Sequence, residues 1–339
     1  MGHQVTVYTY NGSKMTQKYW DTKNLKVVSI GVIATMTIKA GLIYEDSGAW
    51  NEGIWSELEH EDTTNVLLVF DWFGFDAAVK HRTAYGSKVV GVVGALANGR
   101  GGFVPFTDAA KLADFKEKEL EFLKHSDNLI TFNFCSYQEV SKLTDVPAGV
   151  VTLGVNPIDF SQQKAADGRV LVVGRISREK CLEIILRAMT QKYWVELVLC
   201  GTGKDTDYGR YISKQAEKLE VSNRLTFKEA QPDYNSAEIV ICPSVYDPFS
   251  YQIYDAFNYG VPVIGHYMSY MDSIRSGDNG FTYQSVAELS TALDRLHHSK
   301  PLRNQLALTA KGDCMELYTQ QKSLERMETY LMALGGGPN

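Results

Sequence analysis

The strongest constraint on this fold is a rhythm of short strands. Runs rich in valine and isoleucine recur along the 339 residues, separated by longer stretches of helical character. In the first half they are QVTVYTY (4–10), KVVSIGVI (26–33), NVLLVFD (65–71), KVVGVVG (88–94), NLITFN (128–133) and GVVTLG (149–154). The second half supplies RVLVVG (169–174), VELVLCG (195–201), RLTFKE (224–229), EIVICPS (238–244), PVIGH (262–266) and a short GFTY (280–283). Strands that read as continuous apolar runs are buried on both faces, which calls for helices on both sides of a parallel sheet. Residues 112–125 and 213–220 have the period and propensity of such helices. The class is α/β.

The rhythm breaks once. VNPIDFSQQKAADG (155–168) loses all periodicity and gains Pro, Gln and Gly, as a linker does. A chain of 339 residues suits two domains of ordinary size. The expected organisation is a first domain at 1–155, a linker at 156–168 and a second domain at 169–318. A last helix at 319–334 is expected to pack back on the first domain, and GGGPN (335–339) reads as a disordered tail. Two doubly wound domains leave a cleft facing the carboxyl ends of both sheets, where ligands bind by default.

Charge and cysteine content narrow the partners. With a net charge of −6, no global field recruits nucleic acid or an anionic membrane. The five cysteines are scattered, odd in number and without metal-ligand spacing, which reads as a reducing cytosol with neither disulfide framework nor zinc site. No run approaches the ~18 apolar residues of a membrane span. The opening MGHQVTVYTYNG lacks a charged leader followed by an apolar core. A cytoplasmic protein is expected, with peripheral membrane contact left open.

Three segments carry candidate chemistry. In GRISREK (174–180), Arg175 leaves the carboxyl end of a strand and Lys180 is expected in the first turn of the following helix. Two cations converging on a helix start suit a diphosphate, one as a fork and one as a point charge. In CGTGK (200–204), Gly201 and Gly203 flank Thr202 directly after a strand, permitting a tight turn or close approach to a ligand. In SVYDPFSYQIYDAFNYG (244–260), Asp247 and Asp255 bracket a helix expected to start near Ser250. Ionised carboxylates only accept hydrogen bonds, so they suit hydroxyl-rich partners such as a ribose or a sugar ring. Taken singly, these segments read better as a solvated loop, a flexible turn and a charged helix end.

Together, their order and spacing resemble the donor-binding domain of the retaining glycosyltransferases of family 4. The matching blocks are GRISREK (174–180), LVLCGTG (197–203), AEIVICPSVYDPFSYQIYDAFNYGVPVIG (237–265) and GDNGFTY (277–283). GHQVTVYTY, VFDWFGFDAA (69–78) and EFLKHSDNLITFNF (121–134) resemble segments of the acceptor domain. The resemblance implies a GT-B fold, two Rossmann-like doubly wound domains facing across a cleft. It implies transfer of a sugar from a nucleotide-diphosphate sugar, UDP- or GDP-linked, to a hydroxyl on a glycan, lipid or small molecule. Arg175 and Lys180 would bind the diphosphate, Asp247 the transferred sugar and Asp255 the nucleotide ribose. Gly174, Gly201, Thr202, Gly203, Pro248 and the amides around Phe249, Ser250 and Tyr251 would complete the donor site. No cofactor and no essential metal are implied.

The sequence departs from that pattern in four places. It opens at what corresponds to the family's second strand, so the first strand and its glycine-rich loop are expected to be missing. Where the family has a histidine after the strand KVVGVVGAL, Gly94 or Ala95 stands here. Both acids of the family's glutamate pair are aspartate, shortening each arm by about 1.5 Å. Ser250 replaces a common glycine. These departures keep two other readings open, a nucleotide-sugar-binding protein without turnover and a nucleotide-sugar epimerase on the same architecture.

Asp71, Trp72 and Arg100 are candidates for the acceptor side, although a core tryptophan and a mobile NGRGG loop (98–102) explain the last two as well. Asp205-Thr206-Asp207 imitates a metal-binding Asp-x-Asp but sits in a polar loop and is expected to be solvated. His297-His298 is expected to serve a helix end or solvent.

Overall fold

The computed structural model describes residues 5–10, 25–30, 47–60, 66–94, 96–98, 109–158, 168–249 and 251–335. The chain divides into two compact units. One comprises Met1–Ile130, Val140–Ala148 and Gly335–Asn339; the other comprises Thr131–Glu139 and Gly149–Leu334.

The first unit opens with β1 (Val5–Tyr10) and β2 (Leu25–Ile30), paired in parallel, and α1 (Ser47–Leu58). A four-stranded sheet follows, ordered β3 (Val66–Phe70), β4 (Lys88–Val92), β5 (Asn128–Thr131), β6 (Ala148–Val150). The links between its strands carry α2 (Phe75–Tyr85), α3 (Ala109–His125) and α4 (Phe134–Val140). On α3 the buried side chains are Phe115, Glu119, Phe122 and Leu123, the repeat that keeps one helical face on a core. They meet Trp72, Phe75 and Leu129 in one apolar cluster, with Glu119 as a charged exception in the stripe.

In the second unit a six-stranded sheet runs β12-β11-β10-β7-β8-β9, with every pair parallel. The strands are β7 (Arg169–Val173), β8 (Glu196–Cys200), β9 (Leu225–Lys228), β10 (Ala237–Cys242), β11 (Val263–His266) and β12 (Gly280–Tyr283). Helices α5 (Glu183–Gln191), α6 (Asp207–Lys218), α7 (Tyr251–Asn258), α8 (Tyr267–Tyr270), α9 (Val286–His298), α10 (Lys300–Leu317) and α11 (Gln320–Gly335) complete it. Alternate residues of one strand enter different cores: Ile239 and Ile241 join one apolar cluster, Val240 and Cys242 the other. That double burial is what the uninterrupted apolar runs required. The chain winds outward from β7 to β9, then returns to place β10 against the other edge of β7. The carboxyl ends of β7 and β10 therefore form the switch point of a doubly wound sheet, the standard ligand position.

Each strand expected from the sequence is present among the described residues, several with ends shifted by a few residues, while residue 4 and residues 31–33 of the first two expected strands lie outside the described residues. The main difference is at GVVTLG, where only Ala148–Val150 is strand. Beyond it the backbone exchanges hydrogen bonds with the start of α11 instead, Val155 N–H donating to Tyr318 O and Gln320 N–H to Val155 O. Among the described residues, no helix is long and apolar enough to cross a membrane.

Candidate functional site

Three loops of the second unit converge at the switch point, those after β7, β8 and β10. The first two are laced together: Gly174 N–H donates to Cys200 O at 2.9 Å and Ile176 N–H to Thr202 O at 2.8 Å. Glycine is required for this approach. Gly201 has φ +156°, and a Cβ there would lie 2.0 Å from Gly174 O; one on Gly203 would lie 2.8 Å from Ile176 O. What these glycines admit is thus the neighbouring loop, rather than a ligand as the sequence alone allows. Gly174, at φ +124°, leaves room for the Lys180 side chain, whose Cε would stand 3.1 Å from an added Cβ.

Lys180 is not in the first turn of the following helix, as expected. It closes a 3-10 turn, Arg178–Lys180, and Cys181 at φ +46° separates that turn from α5. The left-handed residue breaks the helical hydrogen-bond run, so the lysine is aimed from a loop. Its side chain is only 14% exposed and its Nζ meets Asp247 Oδ2 at 3.4 Å. Arg175 points elsewhere: its side chain is 66% exposed and pairs with Glu179 at 3.4 Å.

Asp247 is buried and densely held. Its Oδ2 accepts from Tyr270 O–H at 2.9 Å and from Gln252 Nε2, and its Oδ1 accepts from Phe249 N–H at 3.2 Å. Asn133 Nδ2 donates to the Asp247 carbonyl, and the Phe132 and Phe249 rings lie 5.5 Å apart. Sequence reasoning missed Tyr270, Gln252 and Asn133. Only Gln252 carried a signal, since it lies on the first turn of α7 facing back toward Asp247. Pro248 is half-buried, and the exposed rings of Phe249 and Tyr251 stack at 6.5 Å. Helix α7 starts at Tyr251, and Ser250 lies outside the described residues.

Asp255 stands one turn into α7, apart from the Lys180–Asp247 pair. It is half-buried, and that burial raises its pKa. Among the described residues no group donates a hydrogen bond to its carboxylate, while its backbone carbonyl accepts from Tyr259 N–H at 3.0 Å. The neighbouring Tyr234 and Tyr251 phenols are pushed up by burial first and by the Asp255 charge second.

Residues 157–313 match the family model of the glycosyl transferases group 1. That stretch is similar to a group 1 glycosyltransferase domain. An uncharacterized glycosyltransferase, MJ1607, of Methanocaldococcus jannaschii is 25% identical over 248 residues; the match spans 63% of this chain and 63% of that protein. Sucrose-phosphate synthase from Thermosynechococcus elongatus superposes with a TM-score of 0.81 at 17% identity, over 98% of this chain and 90% of that one. The Anabaena protein HepE in complex with UDP gives a TM-score of 0.72 at 13% identity, over 97% and 99%. Its complex with UDP-glucose gives 0.70 at 13% identity, over 96% and 99%. The fold is GT-B.

The matched residues 157–313 contain every candidate from Gly174 to Asp255 but not Asn133. In the first unit, Asp71 ends β3 at φ +52°, and its Oδ1 accepts from Gly94 N–H at 2.7 Å. Burial, with the Glu119 charge as a lesser contributor, raises its pKa to about 7. Glu119 accepts from the Ala97 and Asn98 amides and ties down the start of the loop after β4. Trp72 is a core residue, 5% exposed, stacked on Phe73 at 4.6 Å and edge-on to Phe115 at 5.4 Å; this packing removes it from the acceptor-side candidates. Arg100 lies outside the described residues.

The Asp-x-Asp mimic has a local task. Thr206 caps α6, its Oγ1 accepting from Gly209 N–H, while the Asp207 side chain is 95% exposed and pairs with Arg210. Among the described residues, no group of three or more His, Cys, Asp or Glu is placed to hold a metal ion. His297 does more than finish a helix. Its ring stacks on Trp194 at 3.7 Å, and its Nδ1 lies 3.1 Å from the buried Glu238, which also pairs with Arg303.

Proposed function

We propose that this protein transfers a sugar, with retention of anomeric configuration and without a metal, from a UDP- or GDP-sugar to a hydroxyl acceptor. The observation that carries the reading is Lys180. A mostly buried ammonium has three donors, yet among the described residues it is given one acceptor, at 3.4 Å. Burying a cation so sparsely bonded is unfavourable unless an anion completes it. The position is the switch point of a doubly wound sheet, where nucleotides bind. The HepE complexes with UDP and UDP-glucose, on the same fold, agree with this donor class.

In this reading Lys180 and a reoriented Arg175 hold the diphosphate. The amides around Phe249 to Tyr251, at the start of α7, add to that charge stabilisation. Asp247 accepts hydrogen bonds from hydroxyls of the transferred sugar, and Asp255 accepts them from the ribose. As the bond between the anomeric carbon and the phosphate oxygen breaks, negative charge develops on the diphosphate, and donors already aimed there lower the barrier. The leaving phosphate oxygen takes the proton of the acceptor hydroxyl, whose oxygen bonds the anomeric carbon from the same face. No protein nucleophile is needed. On the acceptor side we retain Asp71, at the carboxyl end of β3.

Incubation with UDP- and GDP-sugars and a panel of glycan, lipid and small-molecule acceptors tests the reading. Acceptor-dependent release of nucleoside diphosphate is expected. Saturable binding without product would favour a binding protein, a reading supported by the hold that Lys180, Gln252 and Tyr270 already have on Asp247. A new nucleotide sugar formed without acceptor would indicate an epimerase. Lys180→Ala should weaken UDP or GDP binding by about tenfold or more, the scale of one lost charge-assisted hydrogen bond. Normal binding and turnover by that variant would remove the phosphate role.

A further inference from the structure

We propose that Tyr270 and Gln252 are positioning residues that hold the Asp247 carboxylate toward the donor sugar, an inference that rests on the donor reading above. Tyr270 lies outside the motifs that identify the site, and Gln252 lies within SVYDPFSYQIYDAFNYG but is neither of its two acids. Tyr270 ends α8 and Gln252 is the second residue of α7, so two elements distant in sequence converge on one oxygen.

The hydrogen bonds form a closed and consistently directed triangle. Gln252 Nε2 donates to Tyr270 Oη at 3.0 Å and also to Asp247 Oδ2, while Tyr270 O–H donates to the same Oδ2 at 2.9 Å. Tyr270 is fully buried, and a phenol in that position is stable only with a partner. Burial and the adjacent Asp247 charge push its pKa well above the usual phenol range, so it remains a donor. The terminal torsion of an aspartate is otherwise soft and close to two-fold. With Oδ2 held by phenol and amide, and Oδ1 by Phe249 N–H, the carboxylate plane is fixed.

The distances assign different roles to the groups around Oδ2. Lys180 at 3.4 Å is the longest contact, and a diphosphate arriving at the ammonium displaces it most readily. The phenol and amide then keep the carboxylate in place after the lysine has turned to phosphate. This hold matters more for a short acid, which has fewer torsions but less reach than a glutamate. Tyr270 and Gln252 thereby separate two functions, phosphate capture by Lys180 and sugar recognition by Asp247.

The test compares binding of the nucleotide with binding of the nucleotide sugar, by calorimetry, using UDP with UDP-glucose and GDP with GDP-mannose. Tyr270→Phe removes only the hydroxyl. It should weaken the nucleotide sugar about tenfold, or about 1.4 kcal/mol, and leave the nucleotide within about twofold. Gln252→Met should show the same split. In an Asp247→Asn background, Tyr270→Phe should add less than about twofold, because residues acting through one another are not additive. Equal weakening of both ligands, or additive losses in the double variant, would show a merely structural role and overturn the inference. Wild-type protein that binds neither pair removes the donor reading, and this inference with it. That result is distinct because it precedes any substitution.

Discussion

At the scale of the residue, the acids of this chain divide by environment. Asp71 is the clearest case for a pH dependence, because its folded pKa is about 7 against an ordinary 3.8. A carboxyl raised on folding binds more protons in the native state than in the unfolded chain between those two values. Its neutral form is compatible with the fold below pH ~4, and stability is lost as pH rises toward ~7. Glu119, raised by burial as well, acts in the same direction. Asp71→Asn keeps an acceptor for Gly94 N–H but removes the charge. We expect urea unfolding of wild type to show a lower midpoint at pH 8 than at pH 5, and Asp71→Asn to reduce that difference. An identical pH dependence in both proteins would mean that Asp71 is ionised without penalty. Asp247 illustrates a different solution, in which several donors gather around a buried carboxylate.

At the scale of the element, the paired loops after β7 and β8 set the shape of the site. Gly201→Ala forces a Cβ to within 2.0 Å of the Gly174 carbonyl oxygen, so the two loops must separate. Gly277 also has positive φ, +89°, but a Cβ there meets nothing within 4 Å. Alanine at Gly277 should therefore cost only the dihedral strain, about 1–2 kcal/mol. Alanine at Gly201 should cost more, beyond about 3 kcal/mol, and should weaken nucleotide binding as well. Equal losses in chemical denaturation would deny the loop contact its role. This contact also marks the limit of what could be read from sequence. The strands were legible because double-sided burial demands uninterrupted apolar runs, as in IVIC before Asp247. The glycines after β8 were legible as a turn, but which backbone they approach depends on β7 lying next to β8. Likewise Lys180 reads as helical until Cys181 is known to be left-handed, and nothing local in YMSY announces a partner for Asp247.

At the scale of the whole molecule, the second unit gathers chain from well before its own sheet. Thr131–Glu139 belongs to it, although those residues precede the aperiodic sequence at 155–168. One of its ties is Asn133, fully buried and 114 positions from the residue it holds; Phe134 N–H, which donates to Asp272 Oδ2 at 2.8 Å, is another. Asn133 Nδ2 donates to the Asp247 carbonyl while its Oδ1 accepts from Ser136 N–H at 2.9 Å, joining the start of α4 to the loop after β10. NLITFN reads as a strand end, and an asparagine there looks like any turn residue; its importance exists only once the chain has folded. Asn133→Ala should leave a buried carbonyl and an amide without this partner, a loss of about 1–3 kcal/mol. Because the carbonyl belongs to Asp247 itself, the loop that carries the carboxylate should loosen. UDP-glucose affinity should then fall more than UDP affinity, alongside a lower denaturation midpoint. A lower midpoint with both affinities intact would confine Asn133 to stability and leave Tyr270 and Gln252 as sufficient support for the acid.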